Sequence, residues 1–416
     1  MKRLAFIIIA CIFFIILIQF WVRSYQQNAS LLSSPTWWSI QSVDTMKYSR
    51  DMTAQMMDNP SFDTVIDKQI SDIATLGSTH VAIATPYDEE FVPMLTRWVL
   101  AARKHNLHVW FRGNFSGWEK WFDHKAITRE EHTALLEKFI VNHKELFEDG
   151  DFFTACPECE NGGLGDPRQT GDTEGHRQFL IREYNVAISS FAKINKKVSP
   201  ALHSMNYDVA KLIMDKPTTK ALGGIVAIDH YVKSPKRLAS DIASIAASSG
   251  GKVFLGEFGV PIPDIHGKLS ADQQSAWIRD ALENLIKEPS LIGVNYWVNV
   301  GGSTELWNET TARPAVKTIT DFYTPKQVQG SVVNQFSKPI TKAKVKSMYR
   351  ETTTDTSGRF ALPIYLQDNT LYVSSPDYAD TTTQIANFTD TTKIIIQKSH
   401  SSFLQAAIDY INSLFL

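Results

Sequence analysis

The stretch that decides the fold is Val253-Phe254-Leu255-Gly256-Glu257-Phe258-Gly259-Val260. It reads as a buried β-strand that ends on an acid, because apolar residues flank Glu257 on both sides and glycines leave space around it. A carboxylate is costly to bury unless it is paired or used. Since barrels of eight strands and eight helices keep their chemistry at the carboxyl ends of the strands, the stretch predicts such a barrel.

Working outward from this strand, strand-like and helix-like patterns alternate through residues 37–325. The strand candidates are Ser39–Val43, Thr79–Thr85, His108–Phe115, Asp151–Glu158, Lys197–Met205, Gly224–Tyr231, Lys252–Glu257 and Leu291–Trp297. The helix candidates have apolar residues at three- and four-residue spacing and are Phe62–Leu76, Val92–His105, Arg129–Phe147, Gln178–Ile194, Pro235–Ala247, Ala271–Lys287 and Ala315–Phe322. Together they predict the α/β class and a (β/α)8 TIM barrel. An open doubly wound sheet is the alternative, but it would need a glycine-rich phosphate turn, which we do not find.

Composition narrows the function classes. The chain has 416 residues, a formal net charge of −2 and no basic run, so we expect no nucleic-acid partner. No His-x-His ends the first strand and no cluster has ligand spacing, so we expect no metal and no other cofactor. We expect a monomer.

The N-terminus is a separate segment. Lys2 and Arg3 precede an apolar run, Leu4–Val22, that is long enough to span a bilayer. We interpret residues 1–24 as a transmembrane signal-anchor that places the rest of the chain outside the cytoplasm. A cleaved signal peptide, which would give a secreted protein, is the alternative. Residues 25–36 read as a linker.

After Pro325 the sequence becomes rich in short alternating runs of Thr, Val, Ser and Ile. The strand candidates are Val328–Val333, Ala343–Tyr349, Arg359–Ile364, Thr370–Ser374 and Lys393–Gln397. Residues 326–400 resemble the carboxypeptidase regulatory-like domain, a transthyretin-like β-sandwich, in the runs Gly330-Ser331-Val332-Val333-Asn334, Pro339-Ile340, Ala343-Lys344-Val345, Thr354-Asp355 and Gly358-Arg359-Phe360. The resemblance implies an accessory or spacer role. Residues 401–416 predict an amphipathic helix that docks on a domain, with membrane or partner contact as the alternative.

A second acid, Glu158, ends the fourth strand candidate. On a strand of period two it shares a face with Phe152, Thr154 and Cys156, as Glu257 does with Val253 and Leu255. The acids are 99 residues apart (257 − 158), which is three strand–helix units, so they end strands four and seven. These strands lie nearly opposite each other in a ring of eight, and both acids are expected to meet at its mouth.

Two facing carboxyl groups are the usual apparatus for cleaving a glycosidic bond. One donates a proton to the leaving oxygen and the other attacks the anomeric carbon. A separation of ~5–5.5 Å predicts retention of configuration and ~6.5–9.5 Å predicts inversion.

These residues resemble the clan A, cellulase-like retaining glycoside hydrolases. The resemblance is carried by Gly256-Glu257-Phe258-Gly259, the acid ending strand four, Asp229-His230-Tyr231 and Asn295-Tyr296-Trp297. It implies that Glu257 is the nucleophile and Glu158 the acid/base, that Tyr231 orients Glu257, and that Trp297 floors the sugar. The implied activity is hydrolysis of O-glycosidic bonds in a β-linked oligo- or polysaccharide, and the N-terminal segment leads us to expect this activity outside the cytoplasm.

The chain departs from the clan in two places. Pro157 precedes Glu158 where the clan has Asn, so Glu160 beside Asn161 is a rival for the acid/base. The clan's arginine at the end of strand two is missing, and Arg112 at the end of strand three is a replacement. The expected substrate-binding residues are Arg112, Glu160, Asn161, His203, Asn206, His230, Tyr231 and Trp297.

Other interpretations stay open at this stage. Glu257 could be a structural acid paired to Arg112, and Asp44 and Asp229 could be structural or face a sugar. Cys156 and Cys159 lie on either side of Glu158 in the sequence. They are expected either as free thiols or as a local disulfide. A non-catalytic carbohydrate-binding surface protein on a degenerate barrel and a glycan-remodelling transglycosylase are the competing functions.

Overall fold

The computed structural model describes residues 36–308, 311–365, 368–385, 392–399 and 403–414. The described residues divide into two compact units, one within Trp38–Thr324 and one that contains Thr36, Trp37 and the described residues from Pro325 onwards. The predicted transmembrane segment, and the linker as far as residue 35, lie outside the described residues. Among the helices that are described, none combines the length and the apolar character that crossing a bilayer requires.

The first unit contains the predicted closed barrel. Its parallel strands are β1 (Ile40–Val43), β2 (His80–Ile83), β3 (His108–Phe111), β4 (Phe152–Phe153), β5 (Ser204–Asn206), β6 (Ile225–Asp229), β7 (Lys252–Phe258) and β8 (Leu291–Tyr296). They pair in the orders β1-β8-β7-β6-β5 and β2-β3-β4. Parallel bridges from Asp44 to Ala82 and from Phe152 to Ser199 join the two sheets and close the ring.

Helices cover the outside of this ring. They are α1 (Phe62–Thr75), α2 (Val92–Lys104), α3 (Arg129–Asn142), α4 (Thr173–Lys193), α5 (Tyr207–Ile213), α6 (Lys216–Ala221), α7 (Pro235–Ser249), α8 (Ala271–Leu285) and α9 (Pro314–Tyr323). Two of them begin with capping boxes, at Thr128 for α3 and at Ser270 for α8, which satisfy backbone N–H groups of the first turn. Short helices lie at Met46–Ser49, Thr53–Met56, Glu89–Phe91, Ser116–Glu119, Lys144–Leu146, Cys159–Asn161, Pro167–Thr170 and Pro263–His266, and a two-stranded ribbon pairs β9 (Trp307–Asn308) with β10 (Thr311–Ala312).

The barrel interior corrects the predicted inward face of β7. Phe254, not Val253 or Leu255, belongs to the interior cluster, where its ring meets Trp110 edge to face at 5.0 Å. The pairing of β7 with both neighbouring strands shifts register before its end, and Glu257 pairs with Asp229. Such an irregularity re-aims side chains at a strand end, and it turns Glu257 into the mouth although strict alternation would not.

Seven of the eight strands are shorter than predicted, and β4 and β5 differ most. β4 ends at Phe153, and residues 154–158 turn away, so Glu158 lies in a loop rather than on a strand. Proline at 157 has no N–H to give to a ladder. β5 (Ser204–Asn206) keeps only the last two residues of the predicted strand and extends one residue beyond it. The segment before β5 pairs with β4 at the isolated Phe152–Ser199 bridge and forms no strand.

The second unit contains two small sheets. One has the order β14 (Arg359–Ile364), β11 (Lys326–Asn334) and β17 (Lys393–Ile396); the other has β13 (Glu351–Thr353), β12 (Lys344–Lys346), β15 (Thr370–Ser374) and β16 (Thr381–Gln384). Inward residues of both sheets form one apolar core, including Val332, Phe360 and Val373. A β-sandwich is therefore present, and its relationship to the carboxypeptidase regulatory-like domain stays a prediction.

The last described element is α10 (Phe403–Leu414), where a helix was predicted. Four of its large apolar side chains are exposed, namely Ile408, Tyr410, Ile411 and Leu414. Ile408 and Ile411 belong to the apolar face that the sequence predicts, and the docking of that face on a domain stays a prediction.

Candidate active site

Glu257 lies at the carboxyl end of β7 and is 6% exposed. A Cβ atom on the preceding Gly256 would come within 2.4 Å of Asp229, so only glycine leaves room for this close approach. Two donors face the carboxyl group of Glu257. Arg112 Nη1 lies 2.5 Å from Oε1, and the Tyr231 hydroxyl donates to Oε2 at 2.6 Å. With donors on both oxygens, Glu257 is arranged as an acceptor.

Arg112 is the centre of the site's charge network. It follows β3 directly, is buried, and also bonds Asp44 at 2.7 Å and Asp229 at 2.8 Å. Burial opposes its charge, but attraction to Glu257, Asp229 and Asp44 outweighs this and raises the pKa of Arg112 above its usual value. The residue predicted to replace the clan's missing arginine therefore does contact Glu257, and it binds the two acids whose roles the sequence left open.

Glu158 sits in a tightly held loop after β4. Its backbone is left-handed, with φ 42°, which is uncommon for a residue with a side chain. A disulfide bond joins Cys156 and Cys159 around it, and the Glu158 N–H donates to Ser204 O at 2.7 Å. Asn161 Nδ2 donates to Glu158 Oε2 at 3.0 Å. These contacts fix the direction of the acid.

The two predicted acids meet. One carboxyl oxygen each of Glu158, Asp229 and Glu257 lie within 4.8 Å of one another. Three carboxyl groups this close could hold a cation, but the guanidinium of Arg112 already bonds two of them and supplies positive charge at that point.

The pKa of three acids of the site is raised, namely those of Glu158, Asp44 and Asp229. Burial, reinforced by the charge of Glu257, raises the pKa of Glu158 to about 8. Burial also raises the pKa of Asp44 and, more strongly, that of Asp229. At neutral pH Glu158 is therefore a proton donor that stands beside the hydrogen-bonded acceptor Glu257.

Glu160, the rival acid, is buried and is not one of the three acids that meet. Its Oε1 accepts from the backbone N–H of Asn206 at 2.8 Å and from Asn206 Nδ2 at 3.0 Å. Burial raises its pKa as well. These hydrogen bonds connect the loop that carries Glu158 and Glu160 to β5, and they orient the side chain of Asn206.

His203 does not reach the cleft. It is 1% exposed, and its ring packs against Tyr184 of α4 at 5.8 Å. The neighbouring Leu202 belongs to the barrel interior. Because successive side chains of an extended segment alternate in direction, His203 points to the helix layer. The prediction that it contacts sugar is corrected.

An open groove lies on the β5–β6 side of the mouth. Its volume is about 560 Å³, and Asn206, Tyr207, Asp229, His230 and Tyr231 are among its lining residues. His230 stacks on Tyr207 at 4.2 Å and bonds Asp241 at 2.9 Å, so its ring is fixed in the groove wall.

Tryptophans occupy both the site and the core. Trp297 follows β8, contacts Tyr231 edge to face at 6.3 Å and lies 5.6 Å below Lys47 Nζ. Trp121 lines a second, small cavity beside Glu158. Trp118 is buried on Phe179 and Trp307 is buried, so both serve packing.

Sequence reasoning missed Glu119. It ends the short helix after β3 and lines the small cavity with Arg112, Trp121 and Glu158. An acid in an aromatic loop directly after a barrel strand was the available signal.

Comparisons with known proteins agree with this barrel. No family model and no curated protein matches the chain. GH5_18 from Streptomyces cattleya, solved in complex with GlcNAc, matches with a TM-score of 0.52 and 14% identity over 72% of this chain and 84% of that one. A variant of it in complex with Manβ1-4GlcNAc gives 0.51 and 14% over 72% and 85%. GH5_18 from Bifidobacterium longum subsp. infantis gives 0.52 and 14% over 73% and 87%. These are glycoside hydrolases, and at such identities the likeness establishes the shared barrel fold.

Proposed function

We propose that the protein is a glycoside hydrolase that cleaves O-glycosidic bonds of a β-linked oligo- or polysaccharide with retention of configuration. The observation that carries the proposal is the approach of Glu158 and Glu257 to within 4.8 Å. An approach this close favours the retaining arrangement, with carboxyl groups ~5–5.5 Å apart, over the ~6.5–9.5 Å of an inverting enzyme, which holds a water between its acids.

In the first step, a Glu257 oxygen attacks the anomeric carbon and forms an ester bond to the sugar. The bond from that carbon to the leaving oxygen breaks, and Glu158 gives this oxygen its proton. The pKa of about 8 keeps that proton on Glu158 at neutral pH. Arg112 and Tyr231 hold Glu257 in place for attack.

In the second step, the ionised Glu158 takes a proton from water. The resulting hydroxide attacks the anomeric carbon, the ester bond breaks, and Glu257 is released as a carboxylate. The same side chain thus acts as acid and then as base. When Glu257 becomes an ester it loses its negative charge. The repulsion that helped to keep Glu158 protonated is then removed.

The rest of the site supports sugar binding. Trp297 offers an apolar face next to Tyr231, and we assign it the floor under the sugar at the cleavage point. The groove of about 560 Å³ with Asn206 and His230 is wide enough to take the leaving portion of the glycan. The complex of the Streptomyces cattleya variant with Manβ1-4GlcNAc makes β-mannosides the first substrates to test.

The test is a panel of p-nitrophenyl β-glycosides, with the anomer formed first identified by NMR. We expect turnover with retention, and near-complete loss of it in Glu257→Gln. Glu137→Gln, on the outer face of α3, is the matched control and should keep wild-type rates. Sugar binding without turnover by the wild type would instead favour a carbohydrate-binding protein, and an inverted product would refute the mechanism.

We further propose that the enzyme works outside the cytoplasm as a membrane-anchored monomer, with residues 326–400 as an accessory domain. The disulfide between Cys156 and Cys159 supports this, because such bonds persist in oxidising compartments. The apolar run Leu4–Val22 supports an anchor. Added protease should digest the protein on intact cells, and resistance until the cells are lysed would contradict the location.

A further inference from the structure

Glu119 has one carboxyl oxygen that is held and one that has no hydrogen-bond partner. Asn114 Nδ2 donates to its Oε1 at 2.6 Å. No hydrogen bond to Oε2 exists among the residues that the structure describes. Glu119 lines a cavity of about 30 Å³ with Arg112, Trp121 and Glu158. Oε2 keeps access to solvent, so a ligand in this cavity can reach it.

The direction of Asn114 is fixed by its own partners. Its Oδ1 accepts from the backbone N–H of Phe115 at 2.8 Å and lies 2.9 Å from His132 Nε2. A backbone N–H can only donate, so the oxygen must be on that side and the amide N–H₂ must face Glu119. The hydrogen bond to Glu119 is therefore built in and does not depend on an amide flip.

A buried pair holds Asn114 in turn. His132 Nε2 donates to Asn114, and its Nδ1 lies 3.0 Å from Glu183 Oε2. Both side chains of the pair have no exposed surface. The rings of Trp118 and Phe179 enclose His132 at 5.1 and 5.4 Å. A network that is buried and satisfied in this way makes the end that reaches the cavity rigid.

We propose that Glu119 is a third carboxyl group that contacts the substrate, bonding one hydroxyl or hydroxymethyl substituent of the sugar ring held between Glu158 and Glu257. The proposal rests on the proposed function for the location of the sugar. The volume of the cavity is close to that of one water molecule, so a substituent can enter it while a second ring cannot. Burial raises the pKa of Glu119 to about 7, so it can accept or donate in that bond.

A site built to bond a hydroxyl discriminates strongly against an analogue that lacks it. The experiment is therefore a cycle between Glu119→Ala and p-nitrophenyl β-mannoside analogues from which one hydroxyl at a time is removed. With the full sugar, we expect Glu119→Ala to lower kcat/KM by about 10–100-fold, the loss of one charge-assisted hydrogen bond. With one particular deoxy analogue the variant should differ from wild type by less than about threefold, since the bond is already absent.

Binding is measured separately in the Glu158→Gln protein by saturation-transfer NMR with the same glycosides. If the sugar binds and adding Glu119→Ala weakens that binding, the assignment stands even when no substrate is turned over, although the proposed hydrolysis then fails. Equal loss with every deoxy analogue, or unchanged binding and kinetics, overturns the assignment while leaving hydrolysis intact. No sugar binding at all overturns both. Glu119→Met, which keeps the length of the side chain but has no carboxyl or amide group to bond the sugar, serves if the alanine variant does not fold.

Discussion

Replacing Glu158 by glutamine separates its protonation from any question about substrate. The folded protein holds this acid at a pKa of about 8, whereas its ordinary value is 4.5. Between these values the folded state binds one proton more than the unfolded state does. The free energy of unfolding therefore falls as pH rises through this window. Glutamine resembles the protonated acid at every pH, so the variant should not lose free energy of unfolding through this window.

The magnitude follows from the two pKa values. At pH 7, 2.5 units above the ordinary value, keeping Glu158 in the fold costs on the order of 3 kcal/mol, and at pH 5 it costs less than about 1 kcal/mol. Glu158→Gln should therefore stabilise the barrel by about 3 kcal/mol at pH 7, or roughly 5–10 °C in Tm, and much less at pH 5. Differential scanning calorimetry at the two pH values measures this.

Glu137→Gln is the control, because this side chain lies on the surface of α3 and pairs only with Lys193 among the described residues. It should shift Tm little and equally at both pH values. If Glu158→Gln stabilised the protein equally at pH 5 and pH 7, or destabilised it at pH 7, then Glu158 would not carry a proton at neutral pH. The acid role assigned to it would then lose its basis.

Three further predictions concern the rest of the site. Tyr231→Phe removes the 2.6 Å hydrogen bond to Glu257 and should lower kcat by about 10–100-fold. Its control is Tyr323→Phe, which loses the buried hydrogen bond from α9 to the Ser42 carbonyl and should lower Tm alone. Equal kcat values for the two variants would contradict the orienting role of Tyr231. The kcat/KM of the wild type should fall as pH rises through about 8, where Glu158 loses its proton, and a profile flat to pH 9.5 would count against this. Glu183→Gln replaces a buried carboxyl oxygen that bonds His132 or Thr133 and should lower the free energy of unfolding by about 1–3 kcal/mol, measured by urea unfolding; an unchanged free energy would contradict the rigid network behind Asn114.

The barrel was predictable because its strands are short apolar runs between amphipathic helices. The inward face of β7 was not predictable, because strict alternation puts Glu257 on the same face as Val253. The register shifts of β7 against β6 and β8, which re-aim Glu257, are visible only in the structure. The same limit applies to β4. The sequence allowed a strand to run to Glu158, whereas a disulfide and a bond to Ser204 hold that residue in a turn.

The candidate site divides in the same way. Glu158, Glu257, Arg112 and Tyr231 were named from sequence, and the structure brings them together. Each lies at the carboxyl end of a strand or within five residues after it, which is a one-dimensional signal. Glu119 depends on a chain of bonds from residues far apart in sequence, and no spacing rule encodes such a chain.

The central claim is that Glu257 forms a covalent bond to the sugar and that Glu158 acts as the general acid and then as the general base. The most direct measurement is mass spectrometry of the protein after incubation with a β-glycoside that carries fluorine next to the anomeric carbon and a good leaving group, which slows the second step and lets the intermediate accumulate. We predict a mass increase of one fluorosugar on the peptide that contains Glu257, and none in Glu257→Gln. A label on any other residue, or release of the leaving group with an inverted sugar and an unlabelled protein, would contradict the account.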